Sequence, residues 1–160
     1  MHASSYHIRS SKFPVLQEDH DECCNPGTYG KSLVDYLQEK LETRGYEIPF
    51  TVAEDFGWWI EIKTPLKAPS NIVLRRSHEE QGLADFAIAV DDKAKKWSWK
   101  RFRFVDLSDF QEKLASDVHD ILTSDAEIEF VADHFDNYPD RSLENDEGEQ
   151  DAAGQPATPP

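Results

Sequence analysis

Apolar residues recur along this chain in two rhythms, one of three to four residues and one of two. Between residues 31 and 44, Leu33, Val34, Leu37 and Leu41 fall on one helical face, with Thr28 placed to cap the start and Gly45 to stop the end. Leu107, Phe110, Leu114, Val118, Ile121 and Leu122 make a second such face, opened by Ser108 and Gln111 at capping-box spacing. The period of two runs through Tyr46, Ile48, Phe50 and Val52, where Pro49 predicts an edge strand because it cannot donate to a ladder. It continues over 56–63 after the tight Glu54-Asp55 connection, over a short 71–75 segment, and through Ala84, Phe86, Ile88 and Val90. Further strands are expected over 100–105 and at Ile128, Phe130 and Ala132. The order α-β-β-β-β-β-α-β predicts an α+β two-layer sandwich: a mostly antiparallel sheet, two amphipathic helices on one face, water on the other.

Outside residues 28–138 this patterning fades. Residues 1–27 are Ser-rich, pass through Glu18-Asp19-His20-Asp21-Glu22 and finish in Cys23-Cys24-Asn25-Pro26-Gly27, which predicts a flexible arm ending in a turn. In 139–160 the one large apolar residue is Leu143, so the expectation is a disordered acidic, Pro-containing tail. The formal net charge is −15, yet residues 28–135 hold 14 positive against 21 negative side chains, so more than half of it lies at the ends. A length of 160 residues fits one domain. There is no apolar run of membrane-spanning length and no basic-then-apolar leader pattern near Met1. Two adjacent cysteines build no disulfide framework, which suits a cytoplasmic or nuclear setting. The acidic field disfavours nucleic acid and anionic membranes as general partners.

Strand parity singles out a set of outward side chains. If Phe56, Trp58, Ile60 and Ile62 face the helices, then Trp59 and Glu61 face away. The same rule puts Asp85 outward, and it puts Trp97, Trp99, Arg101 and Arg103 outward if Phe102 and Phe104 point in. Indoles beside guanidiniums stack planar groups and hold carboxylates, and Trp and Arg are enriched at binding hot spots. Such ladders also cover backbone on open sheets, so parity alone does not make a site. Residues 93–103 carry six positive charges in eleven residues, interleaved with aromatics. That pattern fits stacking on single-stranded nucleic acid, but also an edge blunted by lysine or an internal partner for the acidic ends.

Chemistry-bearing motifs are few. Glu54 and Asp55 form an acid/base pair only if one is desolvated, and more often such residues shape a turn. His119 and His78 read as surface residues, and there is no phosphate loop or serine elbow. His20, Cys23 and Cys24 lack chelating spacing, so neither a metal nor a cofactor is implied. The segments Glu54-Asp55-Phe56-Gly57-Trp58 and Lys96-Trp97-Ser98-Trp99-Lys100-Arg101-Phe102-Arg103-Phe104 resemble parts of a group of small uncharacterised soluble proteins. That resemblance covers about residues 28–135 and implies a compact domain without implying an activity.

The sequence thus points to a non-enzymatic intracellular module that binds a protein or peptide on its open sheet face. Trp59, Trp97 and Trp99 would anchor, Arg101 and Arg103 would contact carboxylates, and Glu61 and Asp85 would orient them. One version has the acidic surface neutralise a basic partner. The rival is a small enzyme or small-ligand receptor using Glu54, Asp55 or Glu61 on the same face; a closed pocket beside Glu61 would favour it.

Overall fold

The computed structural model describes residues 4–23, 25 and 28–134. In chain order the elements are β1 (Ser5–Ser10), α1 (Gln17–Glu22), α2 (Lys31–Thr43), β2 (Thr51–Glu54), β3 (Gly57–Ile62), β4 (Ser70–Glu80), β5 (Leu83–Val90), β6 (Lys95–Ser98), β7 (Arg103–Asp106), α3 (Ser108–Ser124) and β8 (Glu129–Ala132). Six strands form one antiparallel sheet in the order β2-β3-β4-β5-β1-β8, and β6 and β7 pair separately. The protein is an α+β sandwich.

Register explains the two layers. The row Trp58–Leu74–Ile88–Tyr6 and the row Ile60–Ile72–Val90 lie on one face, where every member is buried. Onto them α2 packs Leu33, Val34, Leu37 and Leu41, and α3 packs Leu114, Val118, Ile121 and Leu122. Each such leucine contributes about 1.5–3 kcal/mol by leaving water. β2 is an edge strand, as Pro49 implied, but it begins only at Thr51. Gly57 closes the β2–β3 hairpin opposite Glu54, and a Cβ there would sit 2.5 Å from the Leu74 carbonyl oxygen of the next strand. The Phe-Gly-Trp step is therefore a close backbone approach.

The chain start departs from the expected flexible arm. Residues 5–10 form β1, held between β5 and β8 with Tyr6 and Ile8 fully buried, and the Tyr6 hydroxyl donates to the Ala115 carbonyl at 2.8 Å. Residues 17–22 form α1, and its Asp19 is buried although Glu18, Asp21 and Glu22 of the same short helix are exposed. Asp19 Oδ1 accepts from the backbone N–H groups of Gly30 (2.9 Å) and Lys31 (3.0 Å) and from the Trp58 indole (3.2 Å). It caps α2 from a distance, the role that spacing had given to Thr28, whose hydroxyl instead donates to the Asn25 carbonyl. Likewise Asp106, not a Ser108–Gln111 box, caps α3 by accepting from the Ser108 backbone and hydroxyl. β4 runs from Ser70 to Glu80, well beyond the short 71–75 segment that the alternation marked. The expected 139–160 tail lies outside the described residues. Among the described residues no helix is long and apolar enough to cross a membrane.

Candidate interaction surface

The Trp/Arg face expected on one sheet is two separate surfaces. No strand runs through 97–103. Instead the chain reverses at Trp99-Lys100-Arg101-Phe102, so that Ser98 pairs with Arg103, Trp97 with Phe104, Lys96 with Val105 and Lys95 with Asp106. The reversal resets parity. Phe102 and Phe104, expected to point inward, join Trp97 and Trp99 on one free face, while Arg103 falls on the other side with Ser98.

An isolated two-stranded hairpin is marginal in water, so this one depends on its docking. Ser98 and Val105 are buried against the 64–70 connection, where Val105, Leu107 and Ala68 make a small second core. The Ser98 hydroxyl donates to the Lys67 carbonyl at 3.0 Å, and Lys96 Nζ donates to the Pro69 carbonyl at 2.8 Å. Lys96 also pairs with Asp91, a largely buried carboxylate that accepts from Asn71 Nδ2 at 3.1 Å and from the Lys93 backbone at 3.0 Å. Through these bonds the hairpin is fixed to the start of β4 and the end of β5.

Its other face is open. Trp97 sits at the centre, with Trp99, Phe102 and Phe104 edge-on around it at ring separations of 5.9, 5.4 and 5.2 Å. Trp99 is 79% exposed, Phe102 74% and Phe104 69%, the three largest exposures of any big hydrophobic side chain described. Such edge-to-face piles hold ring geometry but leave the outer rings in water. Two further features are costly. Phe102 adopts φ 51°, a left-handed conformation rare for a bulky residue, which costs on the order of 1–3 kcal/mol. The Trp97 indole N–H is covered yet has no hydrogen-bond partner among the described residues. Beside the rings Lys93, Lys95, Lys100 and Arg101 are exposed, and Arg103 is exposed on the opposite side of the hairpin. Lys95 lies opposite Asp106, whose carboxyl is held low chiefly by its hydrogen bonds from Ser108. The other four cations form no ion pair among the described residues.

The outer sheet face is a different, self-satisfied surface. Trp59 does point away from the helices while Trp58 is buried, as parity required, but it is only half-exposed between Val52 and Val73. Its indole donates to Glu61 at 2.8 Å, so Glu61 is engaged by Trp59 and not by an arginine of 101–103. Asp85 also points outward, yet its partners are His7 Nε2 at 2.8 Å and Arg9 Nε at 3.0 Å, both on β1. Those two residues were overlooked because β1 was read as arm; the alternation Tyr6, Ile8, Ser10 was the available signal. Glu54 ends β2 and Asp55 lies in the turn after it, and both are exposed. An open cleft of about 420 Å³ lies elsewhere, lined by Tyr46, Phe110, Arg44, Lys63, Lys67 and Lys113. Three of its cations are already taken, Arg44 and Lys113 by Asp117 (2.8 and 2.6 Å) and Lys63 by Glu47 (2.8 Å). Burial pushes the Tyr46 phenol there up to about 12. Cys23 is half-buried, and burial raises its thiol above the ordinary range, which makes it a poor nucleophile.

Comparison with protein-family models, with curated proteins and with solved structures finds no match to this chain.

Proposed function

We propose that the protein is a non-enzymatic interaction module that binds a protein or peptide through the β6–β7 hairpin, and not through the sheet face. The observation that carries this reading is the group of three rings, each more than two-thirds exposed, on an element clamped from behind. A ring buries roughly 150–250 Å² when covered, so these three offer roughly 400–500 Å² of apolar surface, the size of patch that is often functional. At about 25 cal/mol per Å² the gross gain is about 10 kcal/mol, enough to oppose the association cost of about 4–15 kcal/mol only for a partner that adds contacts. The cationic rim supplies them. A complementary partner presents apolar side chains flanked by carboxylates. The patch covers about half of the roughly 800 Å² per side of a standard interface, which suits a short extended segment better than a globular surface.

The test is capture by the full-length chain and by a Trp99→Ala/Phe104→Ala double variant. Both rings are exposed, so the variant should keep the wild-type melting temperature within the range of ordinary surface changes. A protein set held by the wild type and lost from the variant supports the reading. The same set held equally by both overturns it.

A further inference from the structure

We infer that the cleft between α3 and the 91–94 connection binds a primary ammonium group with a neutral carbonyl beside it, as found at a peptide's N-terminus or in an amino-acid amide. The inference goes beyond the hairpin's aromatic face and does not rest on it. The cleft has a volume of about 280 Å³. That lies at the foot of the range of about 300–1,000 Å³ usual for ligand pockets, so it suits a small group.

One wall is a stripe of α3. Ser108, Gln111, Glu112 and Ala115 recur at the spacing of three, four and seven residues that stacks side chains on one helix face. The other wall is Asp91, Asp92 and Ala94 of the connection from β5 to β6, together with Ser4 just ahead of β1. Backbone bonds hold both walls in place. The Val90 N–H donates to the Ser4 carbonyl at 2.6 Å, and the Leu107 N–H donates to the Ala94 carbonyl at 2.6 Å.

Gln111 is the observation that points to a guest. In the core-facing series Leu107, Gln111, Leu114, Val118 and Ile121 it is the one polar member, and it is only 5% exposed. Its Oε1 accepts from the Ser70 hydroxyl at 2.6 Å, while its Nε2 is shielded from solvent and has no acceptor among the described residues. Buried amide N–H groups are nearly always paired, so this one calls for an oxygen acceptor that no described residue supplies.

The other polar groups of the cleft ask for the opposite. The Ser4 hydroxyl donates to Asp92 at 3.2 Å and the Ser108 hydroxyl to Asp106 at 2.5 Å, so both offer a guest only lone pairs. Asp91 is matched by Lys96, whereas Asp92 has no cationic partner among the described residues. Glu112 adds a further carboxylate, and no Lys or Arg is among the described residues that line the cleft. The chain's net charge of −15 draws cations toward such a site. One donor set among acceptors selects a guest with an ammonium for Asp92 and an oxygen for Gln111. The carboxylate of a free amino acid would meet Asp92 and Glu112, so the matching oxygen is that of a neutral amide. Ala94 and Ala115 supply small apolar surface for the carbon between the two groups.

The test is titration of glycinamide into the full-length chain at about pH 6.5, below the α-amino range of about 7.7–8.0, so that the amine is charged. NMR follows the Gln111 side-chain amide and the backbone of residues 91–94, which should shift and saturate. N-acetylglycinamide lacks the ammonium and ethylamine lacks the carbonyl, and each should bind about tenfold more weakly or worse. Asp92→Asn changes an exposed residue and should weaken glycinamide about tenfold without altering the fold. Gln111→Leu keeps the buried bulk and should weaken it similarly; if that variant does not fold, Asp92→Asn decides. Triglycine amide binding as tightly as glycinamide assigns the cleft to chain N-termini, and glycinamide binding alone assigns it to free amino-acid amides; both support the inference. No saturable shift, equal binding of N-acetylglycinamide or ethylamine, or unchanged affinity in Asp92→Asn overturns it. Capture by the hairpin is read separately with Trp99→Ala/Phe104→Ala, so failure of one reading leaves the other standing.

Discussion

Replacing Asp19 by alanine tests whether the chain start belongs to the fold. Its carboxylate accepts from four N–H groups, Gly30, Lys31 and the Trp58 indole at Oδ1 and Leu16 at Oδ2 at 3.0 Å, besides a long contact of 4.0 Å from the Cys23 thiol. The Gly30 and Trp58 bonds are buried, so alanine strands two donors where water does not reach. Each such loss costs about 1–3 kcal/mol, and the other two donors recover part of theirs from solvent, giving about 4 kcal/mol in all. The negative charge also faces the start of α2, where a helix favours an anion. Asparagine keeps the Oδ1 acceptor but loses the charge and one acceptor, for about 1–2 kcal/mol. Urea unfolding followed by Trp fluorescence and far-ultraviolet circular dichroism measures both variants. A loss below about 1 kcal/mol for Asp19→Ala, or an Asp19→Asn cost as large as the alanine cost, would refute the cap.

Other expected outcomes follow from the same geometry. Leu37→Ala and Leu114→Ala should each cost about 2–5 kcal/mol in urea titrations, since each leaves a cavity between helix and sheet; a cost near zero at either site would contradict the two-layer packing. Gly57→Ala should cost about 1–3 kcal/mol because its Cβ meets the Leu74 carbonyl oxygen, and a neutral result would mean β3 and β4 are not in this register. Asp125 has a carboxyl held down at about 2, first by the Lys12 ammonium at 2.7 Å and also by the Glu127 N–H and the Tyr36 hydroxyl. A depressed carboxylate stabilises the fold above its ordinary range and loses that contribution as pH falls toward 2, here about 2 kcal/mol. Stability measured from pH 6 to 2 should therefore decline less steeply in Asp125→Asn, and identical slopes would rule this contribution out.

What the sequence revealed divides along physical lines. The faces of α2 and α3, and the alternation of β3 and β5, were legible because each element carries three or more apolar residues at one period. The split between Trp58 and Trp59 followed from parity alone. β1 was missed because only Tyr6 and Ile8 mark its buried face and the third inward residue is Ser10, while an acidic run follows at once. Asp19 was illegible for a deeper reason: its partners lie 11 and 39 residues away, and no local pattern announces a carboxylate that caps another helix. The hairpin was misread because Trp99-Lys100-Arg101-Phe102 contains no Gly, Pro, Asn or Asp. Its reversal depends on a left-handed phenylalanine, a conformation that turn chemistry assigns to other residues. Trp59, Glu61 and Asp85 therefore lie on the outer sheet face that parity gave them, whereas Trp97, Trp99, Arg101 and Arg103 sit on a separate hairpin and Phe102 and Phe104 point out instead of in.

Site-specific photo-crosslinking tests the central claim most directly. A benzophenone side chain is placed at Phe104 on the hairpin and, as a control, at Phe50, which is 51% exposed beside the edge strand β2. If the hairpin is the contact element, the Phe104 position yields a defined adduct that an excess of unlabelled wild-type chain suppresses, and the Phe50 position yields none. Adducts from Phe50 with none from Phe104 would contradict the account.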